Sequence, residues 1–198
     1  MTVILAGYLL GSLPLGLWLA RRWSGVDPRR AGSGNIGATN VYRVSGLRLG
    51  LAVMAVDIAK GTGAVLLAAR SGVPEGTAVA AGVAAVIGHV FPVWLRGRGG
   101  KGVATACGAF SVLAPLATAL ATLAFVAMVA ATRVVSAGSL AAILILPSVA
   151  LVAGAPRAVT LGALVTAAVI TWRHRANIER IWHGTERRLT RSREDGGA

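Results

Sequence analysis

Charge is what this chain lacks most. Only 14% of its 198 residues are Asp, Glu, Lys or Arg, against about 25% in an ordinary soluble domain. Acidic residues number seven against twenty basic ones, and Lys60 and Lys101 are the only lysines. The single cysteine, Cys107, excludes an internal disulfide and has no metal-ligand spacing around it, so it is expected to pack as a small apolar residue. The long apolar runs lack the apolar/polar alternation that strands of a transmembrane barrel need. Aromatic residues are few, and none interleaves with a basic patch as on an RNA-binding surface. The net charge of +13 is therefore assigned to membrane orientation and to anionic lipid or substrate, with no nucleic-acid partner expected. No Lys or Arg precedes the first apolar block, whereas Arg21, Arg22, Arg29 and Arg30 follow it, the wrong polarity for a cleaved signal peptide.

What the chain does have is apolar length. Hydrophobic residues make up 55% of it and fall in blocks at 3–20, 49–70, 76–95, 103–131, 134–154 and 158–172. Runs of about 17–25 apolar residues match the hydrocarbon thickness of a bilayer, and only helices or closed barrels satisfy the backbone there. The reading is an all-α, polytopic integral membrane protein, a single domain over residues 1–198. Counting 103–131 as one span would leave the arginine-rich tail, from about residue 173, on the outside, against the positive-inside tendency. Pro115 offers a break near the middle of that block. The split gives a seven-helix bundle with its N-terminus outside and its C-terminus cytoplasmic. With Lys60 inside a span and Arg70 and Arg157 outside, the remaining 17 of the 20 basic residues then lie on the cytoplasmic side.

On that count the polar clusters, apart from Asp57 and Lys60, gather at the cytoplasmic face. The first is "RRAGSGNIGATNVYR", residues 29–43, where Gly32, Gly34 and Gly37 let backbone N–H groups approach a phosphate beside Ser33, Asn35, Thr39, Asn40 and Arg43. Thr39 or Asn40 serves equally well as a cap for the next helix. The second is "RGRGGKGVAT", residues 96–105, a glycine-rich loop in which Gly99, Gly100, Lys101 and Gly102 open a helix and form an anion cradle. It is not a nucleotide-hydrolysing loop, because Gly102 follows Lys101 where Ser or Thr belongs. The third pairs Asp57 with Lys60 on one helix face within a span, either as an ion pair or as a substrate contact. The fourth sets His174 and Asn177 three residues apart on a helix leaving the last span, with Glu186 suited to anchor the tail to an arginine. Ser136 and Ser139 add hydroxyls beside Arg133, and His89 sits at a helix end before Phe91 and Pro92.

At these residues the chain resembles the bacterial acyl-phosphate:glycerol-3-phosphate acyltransferase family, the PlsY type. "GSGNIGATNVYR", "DIAKG", "GHVFPVW", "GGKGVAT" and "HRANIERIWHGTE" stand in the family's order, from the first span to about Arg188. The resemblance implies transfer of a fatty acyl group from acyl phosphate to the 1-hydroxyl of glycerol 3-phosphate at the bacterial cytoplasmic (inner) membrane. It makes Ser33, Arg43, His174 and Asn177 catalytic, and assigns the Gly99–Lys101–Gly102 loop to glycerol 3-phosphate. Gly32, Gly34, Asn35, Thr39, Asn40, Lys60, Gly100, Ser136 and Ser139 are counted with the phosphate contacts, and Asp57, His89 and Glu186 as structural. No metal or other cofactor is expected, and the enzyme that forms the acyl phosphate is expected as a functional partner. Whether Ser33 holds the donor or becomes acylated stays open. A small-anion transporter fits less well, since it would place polar, broken helices near the midplane. Metal-dependent phosphotransferases need an aspartate cluster that the chain lacks, and no histidine here has Asp five residues on.

Overall fold

The computed structural model describes residues 1–189; Arg191, Arg193 and Asp195 of the basic tail lie outside them. Ten α-helices and one 3-10 turn, with no strand, form among the described residues. They are α1 (Thr2–Ser12), α2 (Leu15–Ser24), α3 (Ala38–Ser45), α4 (Leu47–Arg70), α5 (Glu75–Val90), the turn Val93–Leu95, α6 (Val103–Leu113), α7 (Pro115–Thr132), α8 (Val135–Val152), α9 (Arg157–Arg173) and α10 (Arg175–Trp182). Among the described residues, five stretches are long and apolar enough to cross a bilayer: Thr2–Ser24 taken across its break, Leu47–Arg70, Glu75–Leu95, Pro115–Thr132 and Val135–Val152.

The helices outnumber the seven expected for two reasons. The first block breaks at Leu13–Pro14, where proline supplies no N–H and crowds the preceding turn. Two eight-residue helices, α3 and α10, also form in the segments read as loop and tail. The 103–131 block does part at Ala114, and Pro115 becomes the first residue of α7, a position where its missing N–H costs nothing. Pro147, by contrast, lies inside α8 without ending it. At 11 residues α6 rises only about 16 Å, roughly half of the ~30 Å hydrocarbon core, as a buried partial element would.

Small residues set the helix crossings, as they do where apolar lipid removes the ordinary hydrophobic drive. Along α1, any Cβ at Gly7 or Gly11 would collide with the carbonyls of Ala81 and Ala85 on α5. On α4 and α6, Gly61 faces the Thr105 carbonyl and Gly108 the Ile58 carbonyl. The apolar core centres on Phe110, Leu146 and Val159, from α6, α8 and α9. The segments after α2, before α6, before α8 and after α9 converge on one end of the bundle, where the Leu189 N–H donates to the Arg133 carbonyl at 2.7 Å.

Candidate active site

The loop before α3 is folded around one side chain. Asn40, in the first turn of α3 and 2% exposed, donates through Nδ2 to the carbonyls of Pro28, Ala31 and Asn35 at 2.8, 3.1 and 2.8 Å. Its Oδ1 accepts the Ser33 N–H at 2.7 Å. Neither Thr39 nor Asn40 caps the helix; Gly37 stands at the N-cap and has no side chain of its own to cap it. Gly32 has φ +62 and packs on Asn40 so closely that a Cβ would strike Oδ1. The Asn35 Oδ1 closes the loop's end by accepting the Gly37 N–H at 2.8 Å. The outcome is an exposed Ser33 hydroxyl on a rigid loop. Below the loop's start, a hydrogen bond from Arg29 holds the Asp27 carboxyl down at about 2.

The second loop is pinned from both sides. The Gly99 and Gly100 N–H groups donate to the carbonyls of Val90 and His89 at 3.2 and 3.0 Å. From α9, Arg173 Nη2 and Nε donate to the Gly99 and Gly100 carbonyls at 3.0 and 3.2 Å. Gly102, at φ +87, turns the chain into α6. Lys101 is thereby aimed at α10, where its Nζ donates to Asn177 Oδ1 at 2.7 Å. Burial pushes the Lys101 ammonium down to about 8; Glu186 opposes that shift, while Arg180, Arg43 and Arg173 add to it.

His174 ends α9 and is 1% exposed. Its Nδ1–H donates to the Ile170 carbonyl at 2.8 Å, which leaves Nε2 as the ring's acceptor. Burial, helped by Lys101, pushes the imidazole down to about 4, so the ring is neutral at neutral pH. Glu186 ties the tail to the bundle. Its Oε1 accepts from Ser136 Oγ at 2.8 Å and Asn177 Nδ2 at 2.6 Å, and its Oε2 from Arg180 Nε at 2.6 Å. Burial alone would raise this carboxyl, but the three hydrogen bonds hold it below the usual carboxylate range. Ser139 Oγ donates to the Val135 carbonyl at 3.0 Å, and Arg43 reaches the Arg187 carbonyl at 3.5 Å. Burial, with Arg187 nearby, lowers the Arg43 guanidinium.

One cavity of about 700 Å³ joins these pieces. Ser33, Asn35, Thr39, Asn40, Arg43, Lys101, Gly102, Ser136, Ser139, His174, Asn177 and Glu186 all line it. Beyond this polar mouth it runs between α6, α7 and α8 into an apolar recess walled by Phe110, Ala121, Phe125, Ile143 and Leu146. A smaller cavity of about 260 Å³ shares Ser33, Asn35 and Arg173 with it and adds Gly34, Gly97, Arg98 and Gly99. Gly32 and Gly100 lie behind the lining, packed on Asn40 and His89.

Lys60, expected among the phosphate contacts, lines neither cavity. Its Nζ, 4% exposed, lies 2.9 Å from Asp57 Oδ1 and donates to the Gly11 and Leu13 carbonyls at 3.2 and 3.1 Å. Those carbonyls lie just before Pro14, at the end of α1, so the ammonium satisfies backbone groups in an apolar interior. Its fourth neighbour is His89 Nδ1, at 3.2 Å. Asp57 and His89 themselves touch the cavity wall. Arg173, Arg180 and Arg187 line it too and were missed in the sequence; the one signal for them is their place beside His174, Asn177 and Glu186.

A cationic, glycine-walled mouth opening onto a long apolar recess, in a bundle of membrane-length helices, defines a membrane protein that handles an anionic head bearing a hydrocarbon chain. The particular family follows from comparison with known proteins. The chain matches the glycerol-3-phosphate acyltransferase family over residues 1–184. It is 50% identical over 190 residues to the glycerol-3-phosphate acyltransferase of Myxococcus xanthus (strain DK1622), covering 94% of this chain and 98% of that protein. The counterpart from Geobacter sulfurreducens (strain ATCC 51573 / DSM 12127 / PCA) is 46% identical over 183 residues, 92% of this chain and 93% of that one. Among solved structures, the glycerol 3-phosphate form of PlsY (YgiH), an integral membrane glycerol 3-phosphate acyltransferase, superposes with a TM-score of 0.90 at 38% identity, over 96% of this chain and 94% of that one. Its lysophosphatidic acid form gives 0.88 at 37%, with the same coverage. The chain belongs to the glycerol-3-phosphate acyltransferase family.

Proposed function

We propose that this protein transfers a fatty acyl group from acyl phosphate to the 1-hydroxyl of glycerol 3-phosphate, releasing lysophosphatidic acid and inorganic phosphate. The observation that carries the reading is the continuity of the cationic mouth with the apolar recess in one cavity. From Val135 to Leu146, both lining residues on α8, the helix rises about 16 Å, close to the ~15 Å that one leaflet of a ~30 Å hydrocarbon core provides. A membrane acyl chain therefore fits along the recess with its activated end among Ser33, Arg43 and Lys101.

Acyl phosphate is a mixed anhydride, so the chemistry needs orientation and charge neutralisation more than a covalent relay. The glycerol 1-oxygen attacks the acyl carbon, the bond from that carbon to the phosphate oxygen breaks, and phosphate leaves with the electron pair. Lys101 and Arg43 offset the phosphate charges, and the Ser33 hydroxyl donates to the acyl-phosphate group. Asn177 holds Lys101, and His174 Nε2 accepts a hydrogen bond from the acceptor alcohol. A ring held at about 4 is a weak base, so the hydroxyl proton passes to a substrate phosphate oxygen. Direct attack is favoured further because, among the described residues, Ser33 Oγ has no hydrogen bond to a histidine that would activate it.

The same reading counts α1 with α2, α4, α5, α6, α7, α8 and α9 as seven membrane segments of a single domain in the bacterial inner membrane. The N-terminus lies outside, and the site faces the cytoplasm, where the enzyme forming the acyl phosphate delivers its product.

Purified protein supplied with acyl phosphate and glycerol 3-phosphate should release phosphate and lysophosphatidic acid in equal amounts. Turnover that requires acyl-CoA or acyl carrier protein would overturn the donor assignment. Isolation of an acyl-Ser33 adduct would overturn direct attack.

A further inference from the structure

The residues lying under the Lys101 loop, Asp57, Lys60 and His89, touch no substrate-facing cation, yet they form a buried polar cluster within the bundle. Lys60 Nζ lies 2.9 Å from Asp57 Oδ1 and 3.2 Å from His89 Nδ1, and His89 Nδ1 is 3.4 Å from the same carboxylate oxygen. All three residues are at most 6% exposed. Ionisable groups in such a place are costly and need a reason. The far side of the imidazole gives one: His89 Nε2 packs against Gly100 so tightly that a Cβ at Gly100 would overlap the ring. At Gly99 the obstruction is different, because a Cβ there would meet the His89 and Val90 carbonyls and Pro92.

We propose that His89 is a positioning residue for the transfer reaction. Held at Nδ1 by the Asp57–Lys60 pair, its ring forms the floor on which Gly100 rests and so fixes how far Lys101 projects toward glycerol 3-phosphate. The inference rests on the acyltransferase reading above. Arg173 presses the loop onto this floor from the opposite side through the Gly99 and Gly100 carbonyls, and backbone bonds to residues 89 and 90 set its register. The absence of a side chain at residue 100 is then a consequence of the ring beneath it. At residue 99 it is a consequence of backbone.

The test is a double-mutant cycle. Displacing Lys101 by about 1 Å should raise KM for glycerol 3-phosphate by about tenfold or more in Gly100→Ala, with a smaller change in kcat. His89→Asn keeps a polar atom near the Nδ1 position for Lys60 but removes the half of the ring that meets Gly100. Combined with Gly100→Ala, it should recover most of the lost affinity. His89→Gln, which still reaches toward Gly100, should not rescue Gly100→Ala, and His89→Asn should not rescue Gly99→Ala. Additive effects in the Gly100 cycle, or equal rescue of Gly99→Ala, would overturn the proposal. Thermal unfolding of the same four proteins reads the ring–loop coupling without substrate. If no acyl donor, acyl phosphate included, lets the wild type turn over glycerol 3-phosphate, the acyltransferase reading falls. The unfolding cycle would then still decide whether His89 supports the loop.

Discussion

A lysine enclosed among arginines loses hydration that stabilises its ammonium, and burial accordingly holds Lys101 at about 8, with Arg180, Arg43 and Arg173 pushing the same way and Glu186 against them. If this ammonium neutralises the substrate phosphate, affinity depends on its remaining protonated. Below about pH 8 the charged form dominates and KM for glycerol 3-phosphate should be flat. Above it KM should climb toward about tenfold per pH unit. Lys101→Arg, which does not titrate in this range, should flatten the alkaline limb. Glu186→Gln removes an acidic charge that favours the ammonium, so its limb should begin at lower pH. A limb at the same pH in Lys101→Arg and wild type would assign the titration to another group. At this scale the sequence singled out Ser33, Lys101, His174 and Asn177 as polar residues of separate motifs, and all four line one cavity. Arg173 was not singled out, since an arginine at a helix end reads as membrane orientation until the Gly99 and Gly100 carbonyls are found on it.

Between elements, the contact of α4 with α6 depends on two glycines that face backbone. Gly61 abuts the Thr105 carbonyl and Gly108 the Ile58 carbonyl, and Thr62 Oγ1 donates to the Gly108 carbonyl at 2.9 Å. A side chain at either glycine meets atoms that cannot rotate away. Gly61→Val or Gly108→Val should therefore cost about 1–3 kcal/mol or more by overpacking, read as a lower unfolding temperature. Because α6 starts two residues after Lys101, the same variants should also weaken glycerol 3-phosphate binding. Gly63→Ala is the control: its Cβ meets only the end of Leu10, at 3.5 Å, and a helical alanine replacing glycine gains up to about 1 kcal/mol. Prolines show how far elements can be read ahead of the fold. Pro115 sits in a block too long for one helix, so its break was legible. Pro14 and Pro147 sit in blocks of ordinary span length, yet one breaks its helix and the other does not. Beside Pro14, Lys60 from α4 satisfies the Gly11 and Leu13 carbonyls.

The whole molecule separates its charges by end, and the proposed orientation makes this testable. In a Cys107→Ser background, cysteines introduced at Arg70 and Arg157 should react with a membrane-impermeant maleimide added to intact spheroplasts. A cysteine at Arg98 should react only in inverted vesicles. Labelling of Arg98→Cys from outside would reverse the topology. Membrane residence, helical class and the gathering of polar motifs at one end followed from sequence alone, because hydropathy and helix length act locally and sum along the chain. The tertiary structure decided which partners each of the two lysines meets. Lys101 and Lys60 each stand next to a glycine in a polar motif, but one bonds Asn177, 76 residues away, and the other is consumed by carbonyls 49 and 47 residues away. A buried ammonium takes whatever acceptors the packing brings to it, and that pairing between distant segments exists only once the helices have crossed.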